Sequence, residues 1–245
     1  MNRINFVKKI ENYAGYRNLF CIDEGMYYNN NTCTFKDKQP KALLSLIGQK
    51  KLTLPLTVGA MSTGNTAVSI FNFVRFCNQI GEKGQITPVI YVPIGFEERS
   101  YFGPDVNGIR IDGRSYLGVL ERMASETGGK IIHLDFGNPE KDSSNYLSSL
   151  RLGKVAVEHG LIKENGTFLN ITEGLDNTSP LTLEQLSSLT EEQYTQLPKL
   201  GVKAYQPIIE RGLADLDSFF GVKPDYVMCQ FGAGMLFNET KEYLK

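Results

Sequence analysis

Leu54-Pro-Leu-Thr-Val-Gly-Ala-Met-Ser-Thr-Gly-Asn-Thr-Ala67 is the stretch on which the fold turns. Leu54–Gly59 is a continuous apolar run of strand length, the pattern of a parallel strand covered on both faces. Small and polar residues, Ser62 to Thr66, then lead into a 3.6-residue apolar rhythm over Thr66–Ile80, which predicts a helix. Strand, polar turn and helix in this order form the first half of a βαβ unit. The same rhythm recurs outward, with strands predicted at Leu19–Ile22, Thr87–Val92, Lys130–Asp135, Phe168–Ile171 and Tyr226–Phe231. One helix follows Lys36, with Asp37 as its cap, Pro40 in the first turn and Leu43, Leu46 and Ile47 on one face. Further helices are predicted at Ser115–Thr127, Ser143–His159 and Lys203–Phe220, the last ended by Gly221 and Pro224. The fold class is α/β, with mostly parallel strands flanked by helices. Glu97–Gly113 reads as a loop insertion with a short strand at Ile109–Ile111, and the polar Thr172–Leu200 as loop with short helices.

Charge and composition narrow the function. Twenty-six basic residues balance 27 acidic ones without any block of like charge, which argues against a nucleic-acid partner or a membrane surface. The opening MNRINFVKKIENYAGY lacks a signal peptide's apolar core, and no apolar run approaches the roughly 18 residues of a membrane span. A cytoplasmic protein is expected. Cys21, Cys33, Cys77 and Cys229 are scattered, with no C-x-x-C pair, and read as free thiols. With His133 and His159 as the only histidines, no metal site is expected and a Ser/His triad has little to draw on.

Three short segments carry chemistry. Asn29-Asn-Asn-Thr-Cys-Thr-Phe-Lys-Asp-Lys38 sets Lys36 just before a predicted helix, and a partly desolvated lysine amine is a nucleophile toward aldehydes. The same residues also fit a surface lysine in a capped turn. Ser62-Thr-Gly-Asn-Thr66 lies at the carboxyl end of a predicted strand, where α/β proteins bind ligands. There Gly64 permits close backbone approach and Asn65 offers both donors and acceptors, although an ordinary polar helix start reads the same way. In Gln230-Phe-Gly-Ala-Gly-Met-Leu236, small residues let successive N–H groups converge on a phosphate at a helix start.

Taken together and in this order, the segments resemble the fold type II (tryptophan-synthase-beta-like) pyridoxal-phosphate (PLP) enzymes, threonine synthase most closely. The lysine segment is similar to that family's N-P-T-x-S-F-K-D-R, the asparagine loop to S-S-G-N-T-G, and Gly232-Ala-Gly234 to its phosphate turn. Phe20–Gly25, Tyr91-Val-Pro93 and Gly201–Tyr205 are similar to further patches. The chain departs from the pattern with Asn31 for proline, Cys33 for glycine, Thr34 for serine, Lys38 for arginine and Ala67 for glycine. Lysine keeps arginine's charge but not its bidentate grip.

The resemblance implies a PLP-dependent lyase that performs elimination or replacement on an amino acid, in the threonine-synthase manner from phosphohomoserine to threonine. It implies that Lys36 holds the cofactor and moves protons. Asn65 would hold the ring hydroxyl, and Gly232, Ala233, Gly234 and Met235 the phosphate. Thr34, Lys38, Ser62, Thr63 and Thr66 would face the substrate. Two alternatives stand beside this: a β-replacement enzyme of the cysteate or cysteine synthase type, and a catalytically silent binding protein that keeps the fold. Two lobes are expected, a smaller one over 51–164 and a larger one joining 1–50 to 165–245. The family continues well beyond the phosphate loop whereas this chain ends at Lys245, so the expectation is a shortened protein, one completed by a second copy or another chain, or a reduced relative.

Overall fold

The computed structural model describes residues 7–10, 19–22, 34–62, 64–81, 84–93, 116–134, 148–172, 174–229 and 235–244. The expected 97–113 insertion, Thr63 and Gly232-Ala-Gly234 lie outside them. An antiparallel pair, β1 (Val7–Ile10) and β2 (Leu19–Ile22), comes first. A single 3-10 turn, Phe35–Asp37, then runs into α1 (Lys38–Gly48). Four units follow: β3 (Leu56–Met61) with α2 (Asn65–Gln79), β4 (Ile86–Pro93) with α3 (Tyr116–Thr127), β5 (Lys130–Leu134) with α4 (Ser149–Glu158), and β6 (Thr167–Asn170). A two-residue β7 (Leu181–Thr182) leads to the short helices α5 (Leu183–Ser188) and α6 (Glu191–Thr195), and α7 (Gln206–Phe220) and α8 (Met235–Tyr243) complete the order.

The central sheet has the order β5-β4-β3-β6-β7, parallel except for β7. Side chains alternate across it, as the two-residue period of a strand requires. Leu56, Val58 and Ala60 of β3, with Ile86, Ile90 and Val92 of β4, face a core closed by α1, α2 and α3. Val89 and Tyr91 of β4 and Phe168 of β6 face the opposite core, closed by α4, α5 and α6. Helix α2 buries Ala67, Ile70, Phe71, Val74 and Cys77, the i, i+3, i+4, i+7 stripe that its sequence carries. A third, smaller cluster of Tyr205, Ile208 and Met235, with Ile22 and Phe35 against it, joins the N-terminal strands and the lysine turn to α7 and α8.

The structure corrects two expectations. Of the strand expected over Tyr226–Phe231, residues 226–229 form none and 230–231 lie outside the described residues; Tyr226 and Met228 stand 91% and 84% exposed, and no strand among the described residues pairs with the run. Asp37 occupies the N-cap of α1 without a side-chain capping bond. Thr34 caps instead, its hydroxyl accepting from the Lys36 N–H at 3.3 Å. A turn at 163–166 separates α4 from β6, which hydrogen-bonds in register to β3 and is buried from Phe168 to Asn170. Among the described residues no helix is long and apolar enough to cross a membrane.

Close packing on the second face depends on missing side chains. A Cβ on Gly59 would stand 2.6 Å from Cζ of Phe168, and one on Gly153 would stand 2.9 Å from Cδ1 of the same ring. The Phe168 ring thus fills the space that two glycines leave, one on β3 and one on α4. Gly59→Val is expected to lower stability by about 2 kcal/mol through overpacking, and its combination with Phe168→Leu to cost less than the two single losses added. Urea unfolding tests this; an unchanged midpoint for Gly59→Val would contradict the packing.

Candidate active site

Strand β3 is the point where the sheet reverses its direction of growth. Helices α2 and α3 connect β3 to β4 and β4 to β5 across one face, whereas α4 returns the chain across the other face to place β6 on the far edge of β3. Ligands in open α/β sheets bind outside the carboxyl ends of strands at such a switch. Both carboxyl ends are laced together here. The Met61 N–H donates to Thr172 Oγ1 at 2.9 Å, and that hydroxyl donates to Asn170 Oδ1 at 2.6 Å. Asn170 and Thr172 are both buried, and the sequence reading had missed this pair.

The Ser62–Thr66 segment leaves β3 at this point. Ser62 Oγ accepts from the N–H groups of Gly64 and Ala67, each at 3.2 Å, and so caps α2 from outside the helix. Its oxygen thus accepts from two backbone N–H groups. Asn65 is the first residue of α2 and its side chain is exposed, with Thr66 half-buried beside it.

The lysine turn packs against α2, the helix that Asn65 opens. Thr34, Asp37 and Lys38 are buried, and Lys36 is half-buried. Lys36 Nζ lies 4.8 Å from the ring centre of Phe35 and 5.7 Å from that of Tyr205, and the two rings meet edge to face at 5.4 Å. Burial lowers the Lys36 ammonium below its ordinary value. Burial also brings Lys38 down to about 8 against the opposing pull of Asp37, and Lys41 is lowered by burial and then by the charge of Lys38. Burial thus makes protonation of these three amines less favourable than at the surface, which moves a lysine toward nucleophilicity.

Met235 joins this turn to the third segment. Its Sδ accepts from Gln39 Nε2 at 3.0 Å, and a Cβ built on Gly174, which follows β6, would lie 3.2 Å from the same sulfur. The structure therefore brings α1, which the Lys36 turn opens, the loop after β6 and the first residue of α8 together, with α2 packed against the turn; Gly232, Ala233, Gly234 and Thr63 lie outside the described residues. Gln39 was missed, although its signal was present. It shares the buried stripe of Leu43 and Leu46 at i, i+4 and i+7, where an apolar residue is the rule. Tyr205 was read only as part of a resembling patch. It is fully buried, and burial raises its phenol further above the ordinary range, with Glu239 adding to the effect.

Glu239 locks this arrangement. Its Oε2 accepts from the N–H groups of Tyr205 and Gln206 at 2.7 and 2.6 Å, so a carboxylate of α8 caps the N-terminus of α7. No family model matches the chain, and no curated protein matches it. Among solved structures it is similar to O-ureido-L-serine synthase, with 12% sequence identity and a TM-score of 0.44, over 88% of this chain and 48% of that one. The chain thus spans about half the length of that protein.

Burial pushes the Glu239 carboxyl up to about 7, against the two amide bonds that favour its charge. In the unfolded chain its value is the ordinary 4.5. Between these values the folded state keeps a proton that the unfolded state has lost, so stability falls as pH rises from about 4.5 to about 7. The stability difference between wild type and Glu239→Gln, measured by urea unfolding, is expected to shift against the wild type across that window. A difference independent of pH would show that Glu239 is charged throughout.

Proposed function

We propose that this chain is a PLP-dependent enzyme acting on an amino acid, with Lys36 as the residue that holds the cofactor. The observation that carries the reading is the meeting of the half-buried Lys36 turn with both α2 and Met235. Elements from the N-terminal, middle and C-terminal parts of the chain thus pack on the lysine turn and the helix it opens, which supports the reading. The donor set suits the group. A desolvated amine lies beside two touching aromatic rings, an asparagine is exposed at a helix start, and a helix N-terminus follows a glycine-rich segment. Lys36, Asn65 and the Gly232–Met235 segment would hold it. When bound, PLP supplies an electron sink for charge developing at the α carbon of an amino acid.

The chain's own residues supply the rest. Desolvation lets the Lys36 amine give up its proton and accept one from carbon more readily than an exposed lysine would. Phe35 and Tyr205 fix the direction of its side chain and keep water from one side of it. Ser62 acts on the loop rather than on substrate, since its oxygen holds the first turn of α2. The finer proposal is threonine-synthase-like chemistry on phosphohomoserine. Lys38 and Lys41, each held below the ordinary lysine value, would regain charge beside a phosphorylated substrate, so substrate affinity would be coupled to their protonation.

Wild-type protein mixed with PLP is expected to show a visible absorption band that borohydride bleaches, and peptide mass spectrometry should place the pyridoxyl group on Lys36. Lys36→Ala should lose both signals while keeping its fold by circular dichroism. A pyridoxyl group found on another lysine would overturn the assignment. Turnover of acetylserine in place of phosphohomoserine would move the substrate to the β-replacement class, and PLP attachment without turnover of either would favour a silent relative.

A further inference from the structure

Glu239 is only 2% exposed, although a helix cap does not require a buried charge. Tyr205, the N-cap of α7, makes no side-chain capping bond, so its own amide and that of Gln206 rely on Glu239 Oε2 at 2.7 and 2.6 Å. Serine, threonine or asparagine would serve a helix start without burying an ionisable group. A carboxylate adds a dependence on protons, because its ionised oxygens accept charge-assisted bonds that weaken once it is protonated. Burial works most against its ionisation and the two amides favour it, while Asp176 on the loop after β6 opposes it and Lys203 favours it. Lys203 is exposed and paired with Glu242 at 2.6 Å, and the Tyr205 phenol feels the Glu239 charge. Asp176, Lys203, Glu242 and Tyr205 are the titratable groups that face Glu239 among the described residues.

The capped amide belongs to the residue that walls the Lys36 amine. The Tyr205 ring meets Phe35 edge to face at 5.4 Å and its centre lies 5.7 Å from Lys36 Nζ, which stands 4.8 Å from the centre of Phe35. Four residues before Glu239, Met235 packs in the same buried cluster as Tyr205 and Ile208, with Phe35 against it. One helix therefore holds both the backbone and the packing of the aromatic wall, and a slackened bond at the Tyr205 amide is transmitted to the ring.

We propose that Glu239 is a proton-sensitive positioning residue for Lys36. Ionised, its carboxylate holds Tyr205 so that the ring keeps water from the amine; on taking up a proton it slackens that hold, and the amine is better hydrated and less reactive. The consequence for cofactor attachment rests on the reading of Lys36 as the cofactor lysine, whereas the effect on the amine itself does not. Stability and reactivity then run in opposite directions with pH. Ionisation of Glu239 lowers stability as pH rises from about 4.5 to about 7, and over the same rise it tightens the wall. A carboxylate that served the fold alone would make the two move together.

The first test titrates the Lys36 13Cε resonance in the ligand-free full chain. Glu239→Ala should raise its midpoint toward the ordinary 10.5, and Glu239→Gln, which keeps an acceptor oxygen without the charge, should fall between wild type and Ala. Gly59→Val, which strains the core on the face of the sheet under Phe168, should leave the midpoint where it is. If Glu239→Ala does not fold, Glu239→Asp takes its place, since it withdraws the carboxylate by one methylene and should move the midpoint the same way. An unmoved midpoint in the Glu239 variants, or an equal shift in Gly59→Val, would overturn the proposal. The second test compares the rate of PLP attachment in wild type and Glu239→Gln across pH. Their ratio should be near one well below pH 7 and rise to about fivefold above it, the difference between a charged and a neutral acceptor, while urea unfolding shows the stability difference moving against wild type. A flat ratio, or one that falls with stability, would overturn the proposal. If the Lys36 midpoint moves as expected but PLP attaches to another lysine, the Lys36 reading fails and the positioning role stands. If PLP attaches to Lys36 alike in wild type and Glu239→Ala with the midpoint unmoved, the positioning role fails and the Lys36 reading stands.

Discussion

Strand β3 is hydrogen-bonded along both edges to parallel neighbours whose crossovers run on opposite faces, and the rest of the structure follows from that constraint. A strand so placed has no solvent-exposed edge and no solvent-exposed face, which is why Leu56 to Ala60 are all buried and why Gly59 is needed beneath the Phe168 ring. The chain leaves β3 toward one layer and leaves β6 toward the other. The two loops therefore part at the carboxyl edge, where the Met61–Thr172–Asn170 bonds, beside the Ile171 N–H donated to the Gly59 carbonyl at 2.9 Å, tie their roots together.

A second constraint comes from outside the sheet. Helix α8 contributes Met235 at its start and Glu239 one turn later, and the two fix different partners. Met235 meets Gln39 and the loop after β6, while Glu239 holds the first amides of α7 and with them Tyr205. The wall of aromatic residues beside Lys36 is thus positioned by a carboxylate on a helix that does not touch the sheet's core clusters. Separation of this kind lets a site be adjusted without disturbing the core beneath it.

Much of this was legible in the amino-acid sequence, for physical reasons. The strands β3, β4, β5 and β6 are short runs of apolar and β-branched residues bounded by polar turns, and their helices carry full apolar stripes, so period and composition agreed. The helices α5 and α6 were legible as short helices in a polar stretch, and their Thr182/Gln185 and Thr190/Gln193 capping boxes mark their starts to the residue. The strand expected over Tyr226–Phe231 is absent from residues 226–229 because strand propensity says nothing about whether a neighbour is present to pair. Lys36 and Asn65 stand out by their sequence segments, whereas the fully buried Gln39 and Tyr205 do not. What singles them out is full burial with a stranded polar atom, and that is a property of the folded chain.

The central claim is that folding makes Lys36 a reactive amine rather than a surface charge. Titration of the Lys36 13Cε resonance, assigned by its loss in Lys36→Arg, measures this without any ligand or turnover. The account predicts a midpoint below the ordinary lysine value of 10.5, because the amine is desolvated by burial beside Phe35 and Tyr205. A midpoint at or above 10.5 would mean that the aromatic rings and solvent stabilise the cation, and would contradict the account at its base.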